Sequence, residues 1–220
     1  MGNLIFVTGP LFSNRSKYIN DIALSLRNSG YLVVIFSFSH FIKKALRECV
    51  GLTKYNMQTE KHFYNKKYHI LIYNYLNFHY PELDLKDKDM FQEVNEHIEN
   101  CRNYKDYTYN FTKCMQIIGT EGRKVCENIW AYLVVNYCVN NVNGFDYYIF
   151  DDLRYKNEYQ YVRNNVPHEF VTVKRIYKSY EDRLNHSGLS EKLFAELNSH
   201  ESEKNMENEL GSIPSVPIFL

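Results

Sequence analysis

Residues 4–16, Leu4-Ile5-Phe6-Val7-Thr8-Gly9-Pro10-Leu11-Phe12-Ser13-Asn14-Arg15-Ser16, decide how the rest of the chain is read. The run 4–8 is short and apolar and is closed by Gly9-Pro10, which predicts a buried strand followed by a turn. Beyond the turn, Ile19, Ile22, Ala23 and Leu26 fall on one helical face within residues 17–28, and Ser29-Gly30 supplies a stop. Residues 31–36 (YLVVIF) are a second apolar run, β-branched and too short for a core helix. Strand, helix and strand in about thirty residues make a βαβ unit with parallel strands.

The same alternation continues. Ser39 is placed to N-cap a helix through Ile42, Ala45, Leu46 and Cys49 that stops at Gly51. Residues 52–86, rich in Tyr, Lys, His and Asn, read as an insertion with helix around 69–76, and Met90, Phe91, Val94, His97, Ile98 and Cys101 recur at helical spacing over 87–101. Residues 125–139 are apolar on two faces, Val125, Ile129, Leu133 and Tyr137 against Cys126, Trp130, Val134 and Cys138, as expected of a helix buried on both sides. Residues 145–150 (FDYYIF) predict a strand that delivers Asp151 and Asp152 at its carboxyl end. A short helix over 157–164 and a strand over 169–174 (EFVTVK) follow. The expected class is an α/β fold with an open sheet, whose ligands bind at the carboxyl ends of its strands. After Leu197 the chain turns polar and acidic, and no strand is expected there.

Bulk properties narrow the function. The chain has 220 residues, enough for one domain with insertions, and 26 Lys and Arg balance 26 Asp and Glu. No overall field recruits nucleic acid, so a phosphate site must be local. Five Cys without a C-x-x-C spacing argue against a disulfide framework and a zinc site, and fit a reducing, cytoplasmic setting. No run is long enough to span a bilayer, so no membrane partner is expected. Abundant Tyr, Asn, Lys and Ile suggest an AT-rich coding genome and point toward a virus, hence the cytoplasm of a host cell.

Gly9 and residues up to Ser16 stand where a G-x-x-x-x-G-K-[ST] phosphate loop would, between the first strand and the first helix. Backbone N–H groups and the helix N-terminus of such a loop surround phosphates, a lysine reaches the terminal oxygens and a hydroxyl holds Mg²⁺. Here Asn14 replaces the second glycine and Arg15 the lysine. Asn tolerates a left-handed conformation, and Arg keeps the charge on a wider, planar group. Asp151 and Asp152, two acids ending an apolar strand, suit a carboxylate that orients Mg²⁺ and its waters. Arg123, Arg154 and Arg175 lie near predicted element ends, where guanidinium groups can hold phosphate oxygens.

Three further stretches carry a family resemblance. Residues 37–49 (SFSHFIKKALREC), with Lys43, are similar to a substrate-side helix led by an aromatic, a small residue and a lysine. Met115-Gln116-Ile117-Ile118-Gly119-Thr120-Glu121-Gly122-Arg123 with downstream Trp130 is similar to an L-Q-x-x-G-T-[DE] signature. Asp152-Leu153-Arg154-Tyr155-Lys156-Asn157-Glu158 is similar to D-x-R-x-x-x-E. With the loop, these pieces resemble the phage-type deoxynucleoside monophosphate kinases over most of the chain.

The resemblance implies a P-loop kinase-type three-layer fold, a parallel sheet flanked by helices with a helical insertion and a lid. Residues 1–198 would be one domain, with the insertion at 52–101, the lid at 175–191 and a polar tail at 199–220. It implies transfer of the γ-phosphoryl group of ATP to a deoxynucleoside monophosphate with Mg²⁺. Gly9, Ser13, Asn14, Arg15 and Ser16 would bind ATP, and Arg15, Arg123, Arg154 and Arg175 would be catalytic. Lys43, Gln116, Gly119, Thr120, Trp130, Asp152 and Glu158 would bind the acceptor, the Gly119-Thr120 pair forming a turn beside it, while Ser16 and Asp151 would hold Mg²⁺ through water. Core packing competes for Trp130. Two alternatives stay open: a catalytically impaired, kinase-derived nucleotide-binding scaffold, and a phosphomevalonate kinase-like enzyme. A homodimer is left open as well.

Overall fold

The computed structural model describes residues 2–50, 68–81, 84–100, 107–140, 144–208 and 210–219. Expectations on Gly51, Cys101 and the first part of the insertion, and on the side chains of Cys49 and Ile98, lie outside the described residues. The chain packs as two compact units, residues 1–38 with 131–220, and residues 39–130.

The first unit is built on β1 (Asn3–Thr8), β2 (Val33–Phe36), β3 (Tyr147–Phe150), β4 (Val171–Tyr177) and β5 (Val216–Phe219). They form one sheet in the order β2-β3-β1-β4-β5, and every neighbouring pair is parallel. Period-two alternation along β1 sends Ile5 and Val7 to one face, where Ile19 and Ala23 of α1 (Arg15–Asn28) join Val33, Ile149 and Ile176 in a buried cluster. Leu4 and Phe6 face the other way, toward Val134, Val135 and Cys138 of α6 (Ile129–Asn140) and Val162 of α7 (Lys156–Asn165). Stacking of Phe6 on Phe150, centroids 4.7 Å apart, fills that side. Helices thus cover both faces, as a parallel sheet requires.

Chain direction reverses at β1. Its connection runs past β3 to β2, whereas β2, β3 and β4 each connect toward β5. Since crossovers keep one hand, that reversal puts α1 and α7 on opposite faces and opens a crevice at the carboxyl end of β1. The loop of residues 9–16 leaves from that point.

The second unit is helical in its described part. It holds α2 (His40–Val50), α3 (Tyr68–His79), α4 (Gln92–Asn100) and α5 (Tyr107–Val125), with Ala45, Leu46, Ile72, Leu76, Phe91, Val94, Cys114 and Ile118 buried. It starts and ends beyond the 52–101 segment expected as the insertion. After β4 come α8 (Tyr180–Ser187), α9 (Glu191–Asn198) and α10 (Glu201–Asn208). No described helix is long and apolar enough to cross a membrane.

Three sequence expectations are corrected. The helix expected over 125–139 begins only at Ile129, while Val125 ends α5 and both Val125 and Cys126 are exposed. Residues 199–220 are not a tail without a strand: β5 pairs with β4, Arg175 opposite Pro217 and Ile176 opposite Ile218. A proline fits there because β5 is the sheet edge, where a missing N–H costs no ladder bond. Gly119-Thr120 is not a turn, since α5 continues through both residues. Further along α5, Gly122 serves helix packing, because a Cβ there would meet Trp130 Cζ2 at 2.5 Å.

Candidate functional site

The loop after β1 is tied down at its start. Thr8 Oγ1 donates to the Leu153 carbonyl at 2.8 Å, linking the end of β1 to the chain leaving β3. A Cβ on Gly9 would lie 3.0 Å from Ile176 Cβ and 3.2 Å from the Ile176 carbonyl oxygen, so a side chain there would press on β4. Phe12 and Asn14 then take left-handed φ values of 61° and 66°. Left-handed residues within such a turn direct successive N–H groups to one side, the geometry of an anion nest. Asn14 does adopt the conformation its residue type tolerates, and it starts α1, whose first turn carries no acidic residue to offset the helix dipole. Ser13 Oγ is buried without a hydrogen-bond partner among the described residues, while Ser16 is exposed.

Charged groups gather at this loop, with Arg154, Glu203, Asp151 and Asp152 near Arg15. Arg15 opens α1, but its Nη1 turns back and donates to the Gly9 carbonyl at 2.7 Å. Burial, and next the positive charge of Arg154, push its pKa down to about 10, against the opposing pull of Glu203, Asp151 and Asp152. Arg15 is therefore charged at neutral pH. Asp152 points toward the end of β2, its Oδ1 accepting the Phe38 N–H at 2.6 Å. Glu158 is buried and caps α7, with Oε2 accepting the Arg154 N–H at 2.9 Å and the Tyr155 N–H at 3.1 Å. Arg175 stands in register with Thr8, and its Nε and Nη2 are buried without a hydrogen-bond partner among the described residues. A buried cation in that state is a group that an anion would satisfy.

Two residues at the loop were not anticipated. Glu203 of α10 accepts the Leu11 N–H on Oε2 at 2.8 Å, and its Oε1 pairs with Arg154 Nη1 at 2.5 Å. Arg183 of α8 donates through Nη1 to the Leu11 carbonyl at 3.2 Å and to Asn198 Oδ1 at 2.7 Å. Neither lies in a motif. Glu203 is one acid among several in an acidic stretch, and nothing local marks it.

The other expected residues belong to the second unit. Lys43 lies on α2, and Gln116, Gly119, Thr120 and Arg123 lie on α5. Arg123 folds over Gly119, where a Cβ would sit 3.5 Å from its Nη1. Trp130 is buried, lies against Gly122 and donates its indole N–H to the Gly119 carbonyl at 3.0 Å, which is a packing role.

No family model matches the sequence, and no curated protein matches it. The functional reading therefore rests on the loop and its neighbours.

Proposed function

We propose that the protein is a deoxynucleoside monophosphate kinase that transfers the γ-phosphoryl group of ATP to a deoxynucleotide. The observation that carries this reading is the loop of residues 9–16. It leaves the reversal strand with two left-handed residues and has Arg15, Arg154, Asp151 and Asp152 close around it. In the reaction a phosphate oxygen of the acceptor attacks the γ-phosphorus, the bond to the β–γ bridging oxygen breaks, and ADP leaves. Such transfer depends on positioning and charge stabilisation. The loop N–H groups hold the β-phosphate, and Arg15, Arg154 and Arg175 stabilise the charge spreading over the transferred group.

The donor set fits Mg²⁺. Among the described residues no cluster of three His, Cys, Asp or Glu could hold a metal ion, and Mg²⁺ asks for less, one or two carboxylates with water and phosphate completing the shell. Asp151 and Ser16 would hold it through water. When bound, it neutralises charge on the β- and γ-oxygens. Lys43, Gln116, Gly119 and Thr120 are assigned to the acceptor, and Arg123 to catalysis, by their motif positions.

A second reading, a nucleotide-binding scaffold without turnover, is favoured by two contacts. Arg15 is spent on the Gly9 carbonyl, and Glu203 already sits on the Leu11 N–H. ADP release measured with each of the four deoxynucleoside monophosphates separates the readings. Formation of a deoxynucleoside diphosphate is expected, and no transfer to any acceptor would favour the scaffold.

A further inference from the structure

The Glu203 carboxylate occupies the loop in the manner of a phosphate. One oxygen takes a loop N–H, the other takes the guanidinium of Arg154, and only 5% of the side chain is exposed. These are the two kinds of donor that a phosphate oxygen seeks, a backbone N–H in a nest and an arginine. Both backbone groups of Leu11 are held, its N–H by Glu203 and its carbonyl by Arg183, so α8 and α10 close on the loop together. The His200 ring, its Nδ1 2.9 Å from Ser202 Oγ and accepting the Ser202 N–H, orders the entry to α10.

We infer that Glu203 is a built-in occupant of the loop, an autoinhibitory contact that a nucleotide's phosphates must displace, lifting α10, before they bind. This rests on the phosphate-binding reading of residues 9–16. A carboxylate and a phosphate cannot share the same donors, and two anions at that distance repel. Removing the carboxylate's charge therefore frees the site while leaving the loop intact.

The test uses inorganic tripolyphosphate and the full chain. Calorimetric titration of wild type, Glu203→Gln and, as a control on the exposed side of α10, Glu201→Gln should give about tenfold tighter binding for Glu203→Gln alone, the scale of one lost charge-assisted contact. In wild type, saturating tripolyphosphate should speed amide exchange over residues 201–208. Equal or weaker affinity of a folded Glu203→Gln, absence of tripolyphosphate binding by both proteins, or unchanged or slowed exchange over 201–208 would each overturn the inference. Should Glu203→Gln not fold, the wild-type exchange decides alone. Tighter binding by Glu203→Gln without phosphoryl transfer removes the kinase and leaves the occupant standing; transfer with equal affinities does the reverse.

Discussion

Arg15 Nη1 donates to the Gly9 carbonyl at 2.7 Å, so the one cation within residues 9–16 closes the loop on its own first residue. The same group is the nearest to the loop that could stabilise a transferring phosphoryl group, and it stays charged because its pKa falls only to about 10. Arg15→Ala should therefore cost on the order of 10²-fold in kcat, the scale of one deleted charge stabiliser. Arg15→Lys keeps the charge and should retain most of the rate. Steady-state assays of the three proteins decide, and wild-type transfer that Arg15→Ala leaves untouched would remove the role.

Glu158 was a motif acid expected at the acceptor, yet it serves two backbone N–H groups at the start of α7. Glu158→Ala should lose about 1–3 kcal/mol of stability, because two buried donors lose their acceptor. Glu158→Gln keeps one acceptor oxygen and should lose less. Urea denaturation measures this. A capping role predicts an unchanged KM for the deoxynucleotide in the folded Gln variant, and a large rise in KM would return Glu158 to the acceptor site.

Gly122 has no room for a methyl group, since its Cβ would stand 2.5 Å from Trp130 Cζ2. Gly122→Ala must push the indole aside and strain its bond to the Gly119 carbonyl. A loss of about 1–3 kcal/mol is expected, as for other overpacked cores. Trp130 is the sole tryptophan, so its fluorescence reports the displacement directly. An unshifted emission maximum with unchanged stability would contradict the packing.

Burial pushes the Cys138 thiol up to about 12 from its ordinary 9.0. Between those values the unfolded chain has lost the proton that the folded chain keeps, so this group makes stability fall as pH rises above about 9. Cys138→Val should flatten that alkaline loss in denaturation curves taken between pH 8 and 10. In the folded protein, alkylation at pH 8 should label the exposed Cys126 and spare Cys138. Mass spectrometry of the peptides reads both, and fast labelling of Cys138 would place it nearer solvent.

Most of the sheet was legible in short apolar runs. Residues 4–8, 31–36 and 145–150 were each read as strands, and β1, β2 and β3 lie within or almost within them, because a strand buried on both faces must be continuously apolar. The α1 face was equally plain, with Ile19 and Ala23 buried and Ile22 and Leu26 packed beside them. Residue type allowed the left-handed Asn14 without requiring it, and nothing local marked Phe12, which takes the same conformation. The fifth strand escaped because β5 contains a proline and its place depends on pairing at an edge. Gly119-Thr120 reads as a turn in the sequence because glycine marks turns more often than helix interiors, yet α5 runs through both residues.

What the sequence determined by itself was local: where the chain extends, where it coils, and which loop leaves the first strand. These follow from periodicity, propensity and steric tolerance over a few residues. What occupies the loop was decided by tertiary structure. Glu203 and Arg183 reach Leu11 from 192 and 172 residues away, and long-range pairs of that kind leave no periodic trace. The charges that meet there are set by how the segments after β4 pack back onto the end of β1. No window of sequence short enough to carry a pattern contains both partners.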